Sequence, residues 1–141
     1  MTSQNQMRNV EREIAIAVVE WDGKYLVGKR PAGATLEGFS EFPGGKIESG
    51  EPPDAAAVRE CREETGLLVD VSRLLLVHEQ YYQHAQLRLH FFSCRPMTIP
   101  PATLTEPWRW VSTPELLQLT FPPANQPLLE SLRREWMNRG S

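Results

Sequence analysis

The sequence predicts an α/β domain in which a small number of helices pack on a β-sheet. Three features carry that prediction. EIAIAVVE, from Glu13 to Glu20, and LRLHFF, from Leu87 to Phe92, alternate in the two-residue period of strands and are rich in apolar side chains. DAAAVRECREET, from Asp54 to Thr65, has helix-forming residues between prolines and Gly66. Finally, Leu128, Leu132 and Trp136 recur every four residues, the spacing of one buried helix face.

In chain order, residues 1–11 read as a polar arm and residues 12–139 as a single domain, because 141 residues with 40% hydrophobic content suit one core. The strand at 13–20 meets Asp22-Gly23, a hairpin signal, so KYLVGKR (Lys24 to Arg30) is expected to return antiparallel to it. Pro31 to Pro53 is crowded with Gly and Pro and reads as a long functional loop with a short extended piece at Glu41-Phe42. In the helix that follows, Asp54 is placed to cap or to favour the positive dipole end, and Gly66 ends it. Leu67 to Val77 and Tyr81 to Cys94 add further strands, and a short one is expected at Trp108 to Val111. Ser112-Thr113-Pro114-Glu115 opens a short helix with a hydroxyl cap, and a last helix runs from about Pro127 to Met137.

Composition excludes several classes. No apolar run approaches the roughly 18 residues of a membrane span, and the first residues are polar where a signal peptide would be apolar, so a soluble, cytoplasmic protein is expected. Cys61 and Cys94 are too few for a disulfide framework and lack zinc-site spacing; both are read as free thiols. A net charge of −3 argues against stable nucleic-acid binding but leaves room for a small anion held through a metal. Monomer and homodimer are equally compatible with these residues.

The chemistry concentrates in RECREETG, residues 59 to 66. At about 100° per residue, Glu60, Glu63 and Glu64 share one helix face, whereas Val58 and Cys61 point to the other side. Like charges at this spacing cost about 0.2–0.5 kcal/mol per pair. Arg59 and Arg62 partly neutralise the cluster if the face is merely solvated. The preceding loop favours a different partner. Gly44-Gly45 permit close backbone approach, Glu51 adds a fourth carboxylate, and Lys46 and Arg59 offer cations to phosphate oxygens. Carboxylates and a bare carbonyl are the ligands of Mg²⁺, with Mn²⁺ as an alternative, and such a metal commonly bridges to phosphate.

From Gly45 to Leu67 the chain matches every position of GX5EX7REUXEEXGU, with Cys61 and Leu67 at the apolar sites. In this it resembles the Nudix hydrolases. The resemblance implies an α/β/α sandwich with a mixed sheet and Mg²⁺-dependent hydrolysis of a nucleoside diphosphate linked to another group. It implies that Gly44 (through its carbonyl), Glu60, Glu63 and Glu64 are metal ligands, that Arg59 orients the glutamates through Glu51 or Glu60, and that Glu51 and Gly66 support the motif. As general base it offers Glu60 or a loop acid before the late Trp strand, here Glu106. Arg30 is similar to a family arginine that meets phosphate; a surface salt bridge is the alternative.

Two stretches, EFPGGKIESGE (Glu41 to Glu51) and FPPANQP (Phe121 to Pro127), resemble those of the MutT-like members, which remove 8-oxo-dGTP. They place Arg30, Glu41, Phe42, Gly45, Lys46 and Asn125 as candidate substrate contacts, with Asn125 at the position that reads the oxidised purine. The edge chemistry agrees. Guanine shows N7 and O6 as acceptors, but oxidation at C8 puts a hydrogen on N7, and an asparagine amide then complements the edge. Asn125 as a helix cap before Pro127 is the structural alternative. Tyr81, Tyr82 and Phe42 are candidate stacking or core aromatics, and His78, His84 and His90 read as strand polar residues. The expected substrate is a nucleotide, 8-oxo-dGTP first and CTP, dCTP, 5-methyl-dCTP or a broad set of dNTPs second. A non-catalytic nucleotide-binding module is the alternative of another class.

Overall fold

The computed structural model describes residues 12–82 and 85–139. Its strands are β1 (Arg12–Trp21), β2 (Lys24–Lys29), β3 (Ser40–Glu41), β4 (Gly44–Lys46), β5 (Val69–Tyr82), β6 (Ala85–Pro96) and β7 (Arg109–Ser112). Its helices are α1 (Pro53–Thr65), α2 (Thr113–Leu116) and α3 (Gln126–Asn138), with a 3₁₀ turn at Pro123–Asn125. The strands join in the order β3-β2-β1-β6-β5, while β4 pairs with β1 and β7 with β2. β1 and β6 run parallel and the other pairings are antiparallel, so the sheet is mixed, as expected.

Local signals explain most element ends. The β1–β2 hairpin turns through Asp22 (φ 54°) and Gly23 (φ 73°), the two positive-φ positions of a tight hairpin. Gly66 ends α1 at φ 81°, its N–H donating to the Arg62 carbonyl at 2.9 Å. Pro52 occupies the cap of that helix, so Asp54 acts within the first turn, where its Oδ1 accepts from the Ala55 N–H. Ser112 caps α2 by accepting from the Glu115 N–H, as its spacing predicts. One expected break is absent: β5 runs unbroken through residues 78–80. Its pairing with β6 carries it, with register shifts at Val71/Arg73 and Leu74/Leu76. His84 and the arm at 1–11 lie outside the described residues.

Alternation along β1 sorts its side chains onto two buried faces. Ile16 and Val18 join Phe121, Leu128, Leu129 and Leu132 beneath α3. On the other face Ala15, Ala17 and Val19 meet Ala56, Ala57 and Cys61 of α1. Small residues on both sides let α1 approach the sheet closely, and one helix on each face completes the sandwich. Cys61 and Cys94 are free thiols in that second cluster, and burial pushes both to high pKa, about 11 and about 12. Among the described residues no helix is long and apolar enough to cross a membrane.

Gly28 marks the tightest packing of β2. A Cβ there would lie 2.7 Å from the Trp108 ring. Gly28→Ala is therefore expected to destabilise the fold by about 1–3 kcal/mol through overpacking, read as a lower urea midpoint at unchanged m. An unchanged midpoint would show that Trp108 shifts at no cost.

Candidate active site

The site begins where β4 crosses β1. Ala17 donates to the Pro43 carbonyl and Ile47 to the Glu13 carbonyl. Because hydrogen-bonded and non-bonded pairs alternate in an antiparallel ladder, the Ile16–Gly44 pair is a non-bonded one. The Gly44 N–H and C=O thus point away from β1. That N–H donates to Glu64 Oε1 at 3.2 Å, tying β4 to α1. Both glycines serve close approach: a Cβ on Gly44 would meet the backbone of Ala15 and Ile16, and one on Gly45 would overlap the Glu60 carboxyl.

Arg59 answers the charge crowding. Its Nε and Nη2 donate to Glu51 Oε2 (2.7 Å) and Oε1 (2.9 Å) as a fork, and Nη2 also donates to the Lys46 carbonyl (3.1 Å). Its Nη1 donates to Glu60 Oε2 (3.0 Å) and Glu63 Oε1 (3.3 Å), with Glu48 at 3.7 Å. The sequence left open whether Arg59 meets Glu51 or Glu60; it meets both. The guanidinium holds the Glu51 carboxyl down at about 2, and these acids hold Arg59 above its usual range.

Glu64 has no such partner. Partial desolvation of a residue that stays exposed at the surface, countered by the Gly44 N–H but reinforced by Glu60 and Glu41, raises it to about 8. Glu60 and Glu64, beside the outward-facing backbone of Gly44, offer carboxylate and carbonyl oxygens, the donors that a hard divalent cation takes. Glu60, Glu63 and Glu64 share the helix face that the sequence predicts, and among the described residues no three such side chains are already gathered into a metal cluster. Arg59 Nη1 is shared by Glu60 and Glu63, so that one cation answers two of the three carboxylates.

On the opposite face a cavity of about 510 Å³ opens beside Gly44. Its walls include Ile14, Ile16, Leu87 and Leu89, and its polar groups include Arg30, Glu41 and Asn125. Arg30 donates to the Thr35 carbonyl (2.6 Å), Thr35 Oγ1 (3.2 Å) and Glu41 Oε1 (3.4 Å); burial raises Glu41 while Arg30 opposes it. Asn125, 9% exposed, stands at the cap of α3 but makes no side-chain cap; its Nδ2 donates to the Pro122 carbonyl at 3.3 Å. The capping alternative therefore does not hold. Phe42 lines the cavity with its ring stacked on Phe121, centroids 4.8 Å apart.

Other candidates fall elsewhere. Lys46 is exposed at the end of β4 and contributes its carbonyl to Arg59. Tyr81 is 64% exposed and is not among the cavity residues. Glu106 lines a separate cavity with Lys24, Lys29 and Trp108, and no residue of the 45–67 segment borders it. His90 contacts Glu13 at 2.7 Å and His78 contacts Gln80 at 3.0 Å, as strand polar residues. Gln80, on the cavity wall, was missed; the alternation of β5 was the available signal, but the expected break at 78–80 hid it.

The NUDIX domain family model matches residues 14–131. The chain belongs to the Nudix family. It is 36% identical over 121 residues to the CTP pyrophosphohydrolase of Escherichia coli K12, covering 84% of this chain and 89% of that one. It is 32% identical over 124 residues to the 8-oxo-dGTP diphosphatase of the same organism, covering 86% and 96%. In structure it is similar to the E. coli ORF135 protein, with a TM-score of 0.72, 34% identity and coverage of 87% and 89%. It is thus a Nudix hydrolase, acting on phosphoric anhydrides.

The Arg59–Glu51 fork has a pH consequence. A carboxyl whose folded pKa is depressed stabilises the fold above its unfolded value, near 4.5, and loses that contribution as pH falls toward about 2. This Nudix hydrolase should lose stability across that window, and Glu51→Gln should flatten the loss, measured by urea unfolding from pH 5 to 2. Parallel curves for both proteins would rule out the fork as the source.

Proposed function

We propose that this Nudix hydrolase is a Mg²⁺-dependent nucleoside triphosphate pyrophosphohydrolase that converts 8-oxo-dGTP and water to 8-oxo-dGMP and pyrophosphate. Residues 12–139 would act as one domain on the cytoplasmic nucleotide pool. The observation that carries the substrate choice is Asn125: buried in the cavity, bonded back to Pro122 and not spent as a cap. Its Oδ1 and second amide hydrogen suit the N7–H and O6 of an oxidised guanine and mismatch the two acceptors of guanine itself.

In this proposal Glu60, Glu63, Glu64 and the Gly44 carbonyl would hold the metal. When bound, Mg²⁺ (or Mn²⁺) supplies Lewis-acid stabilisation of the phosphate charge. The remaining work belongs to the chain. Arg59 fixes the glutamates through Glu51. Arg30, beside Glu41 at the cavity mouth, and the exposed Lys46 meet phosphate oxygens. Glu60 takes a proton from the attacking water; Glu106, the other candidate, lines a cavity that no residue of the 45–67 segment borders. Phe42, backed by Phe121, flanks the base.

A second substrate, CTP, is favoured by the relative named a CTP pyrophosphohydrolase. Steady-state kinetics with Mg²⁺ on 8-oxo-dGTP, dGTP, CTP and 5-methyl-dCTP separate the two. The highest kcat/KM is expected for 8-oxo-dGTP; a clear lead for CTP would replace that assignment. Asn125→Ala should cut the preference for 8-oxo-dGTP over dGTP about tenfold to a hundredfold, and an intact ratio would remove Asn125 from base reading. Glu64→Gln should lower kcat at least about a hundredfold on every substrate; retained activity would deny Glu64 its role at the metal.

A further inference from the structure

The cavity contains a second amide outside both the 45–67 segment and FPPANQP. Gln80 is half-buried on β5 and is the one uncharged polar side chain that the described strands place on the cavity wall, near Ile14, Ile16, Leu87 and Leu89. Its amide is not free to turn. His78, two residues back and therefore on the same face of the strand, sets Nε2 3.0 Å from Gln80 Oε1. His78 is not itself among the cavity residues, so it acts from behind. With the proton on Nε2 it donates to Oε1, and the Gln80 NH₂ is the group left for a ligand.

Oxidation at C8 changes guanine in two places: N7 gains a hydrogen, and C8 gains a carbonyl oxygen. Asn125 is suited to the first change. The second leaves an acceptor facing a largely apolar wall, where a missing donor costs affinity. The arginines lining the cavity serve less well, because Arg30, held beside Thr35 and Glu41, is the one assigned to phosphate and Arg12 is exposed at the first residue of β1. We propose that Gln80, oriented by His78, donates a hydrogen bond from its amide to the C8 oxygen of the bound base, as a second specificity-determining residue beside Asn125. Unmodified guanine has C–H at that position and leaves the Gln80 donor without a partner, so both terms favour the oxidised base. The inference rests on the 8-oxo-dGTP assignment.

Calorimetric titration of the metal-free protein with 8-oxo-dGMP, dGMP and CMP tests base reading apart from hydrolysis. The wild type should bind 8-oxo-dGMP most tightly. Gln80→Met and Gln80→Glu, neither of which has a donor there, should each lower the ratio of 8-oxo-dGMP to dGMP affinity about two- to tenfold, with dGMP bound no more weakly by the Met variant than by the wild type and melting curves confirming the fold. His78→Phe, which frees the amide to turn, should move the ratio the same way by less. An unchanged ratio in both Gln80 variants, or an equal loss for both guanine nucleotides, overturns the role of Gln80 while the 8-oxo-dGTP assignment stands. A wild type without preference for 8-oxo-dGMP overturns both.

Discussion

Arg59 sits at the point where the loop before α1 and the acidic face of α1 must be held together against their own charge. Its guanidinium reaches Glu51 through a fork and extends to Lys46, Glu60 and Glu63. A lysine at this place would be a single point charge without the planar fork, and the loop would lose its fixed distance from the helix. The arrangement also decides where charge is left over. Glu51, Glu60 and Glu63 share one cation, whereas Glu64 has only the Gly44 N–H against partial desolvation and two acidic neighbours.

The paired glycines work by thinness rather than by an unusual backbone conformation. Neither Gly44 nor Gly45 is among the positive-φ residues, in contrast to Gly23 and Gly66, where turn and helix end demand that region. Gly44 leaves room for β1 and Gly45 leaves room for Glu60. A side chain at either position would separate β4 from β1 or push a carboxylate out of the cluster.

Gly44 is also the bridge between the two halves of the site. It borders the cavity on one face of the sheet and donates to Glu64 on the other. The acidic helix packs through Ala56, Ala57 and Cys61 against one side of β1, and the cavity is lined by Ile14 and Ile16 on the other side. The proposed division of labour follows from that geometry: phosphate chemistry near α1, base selection across β1, and a substrate spanning the end of β4.

The sequence by itself determined what depends on short-range spacing. It located α1 with its acidic and apolar faces, the Asp22-Gly23 hairpin, the Ser112 cap, Leu128 and Leu132 on the buried face of α3 (though Leu129 rather than Trp136 completes that face) and the family pattern from Gly45 to Leu67, because helix period, turn conformation and cap chemistry are set within a few residues. The tertiary structure alone decided what depends on distant segments meeting. The parallel β1–β6 pairing, the unbroken β5, the Phe42–Phe121 stack and the separation of Glu106 from α1 each follow from the path of loops between elements. Arg59 shows the limit most plainly: its place among the helix glutamates was legible, but its fork to Glu51 and its bond to the Lys46 carbonyl depend on how the preceding loop folds back on the helix. Strand alternation assigns residues to one face or the other; only the packed sheet settles that Gln80 faces the cavity and Tyr81 does not.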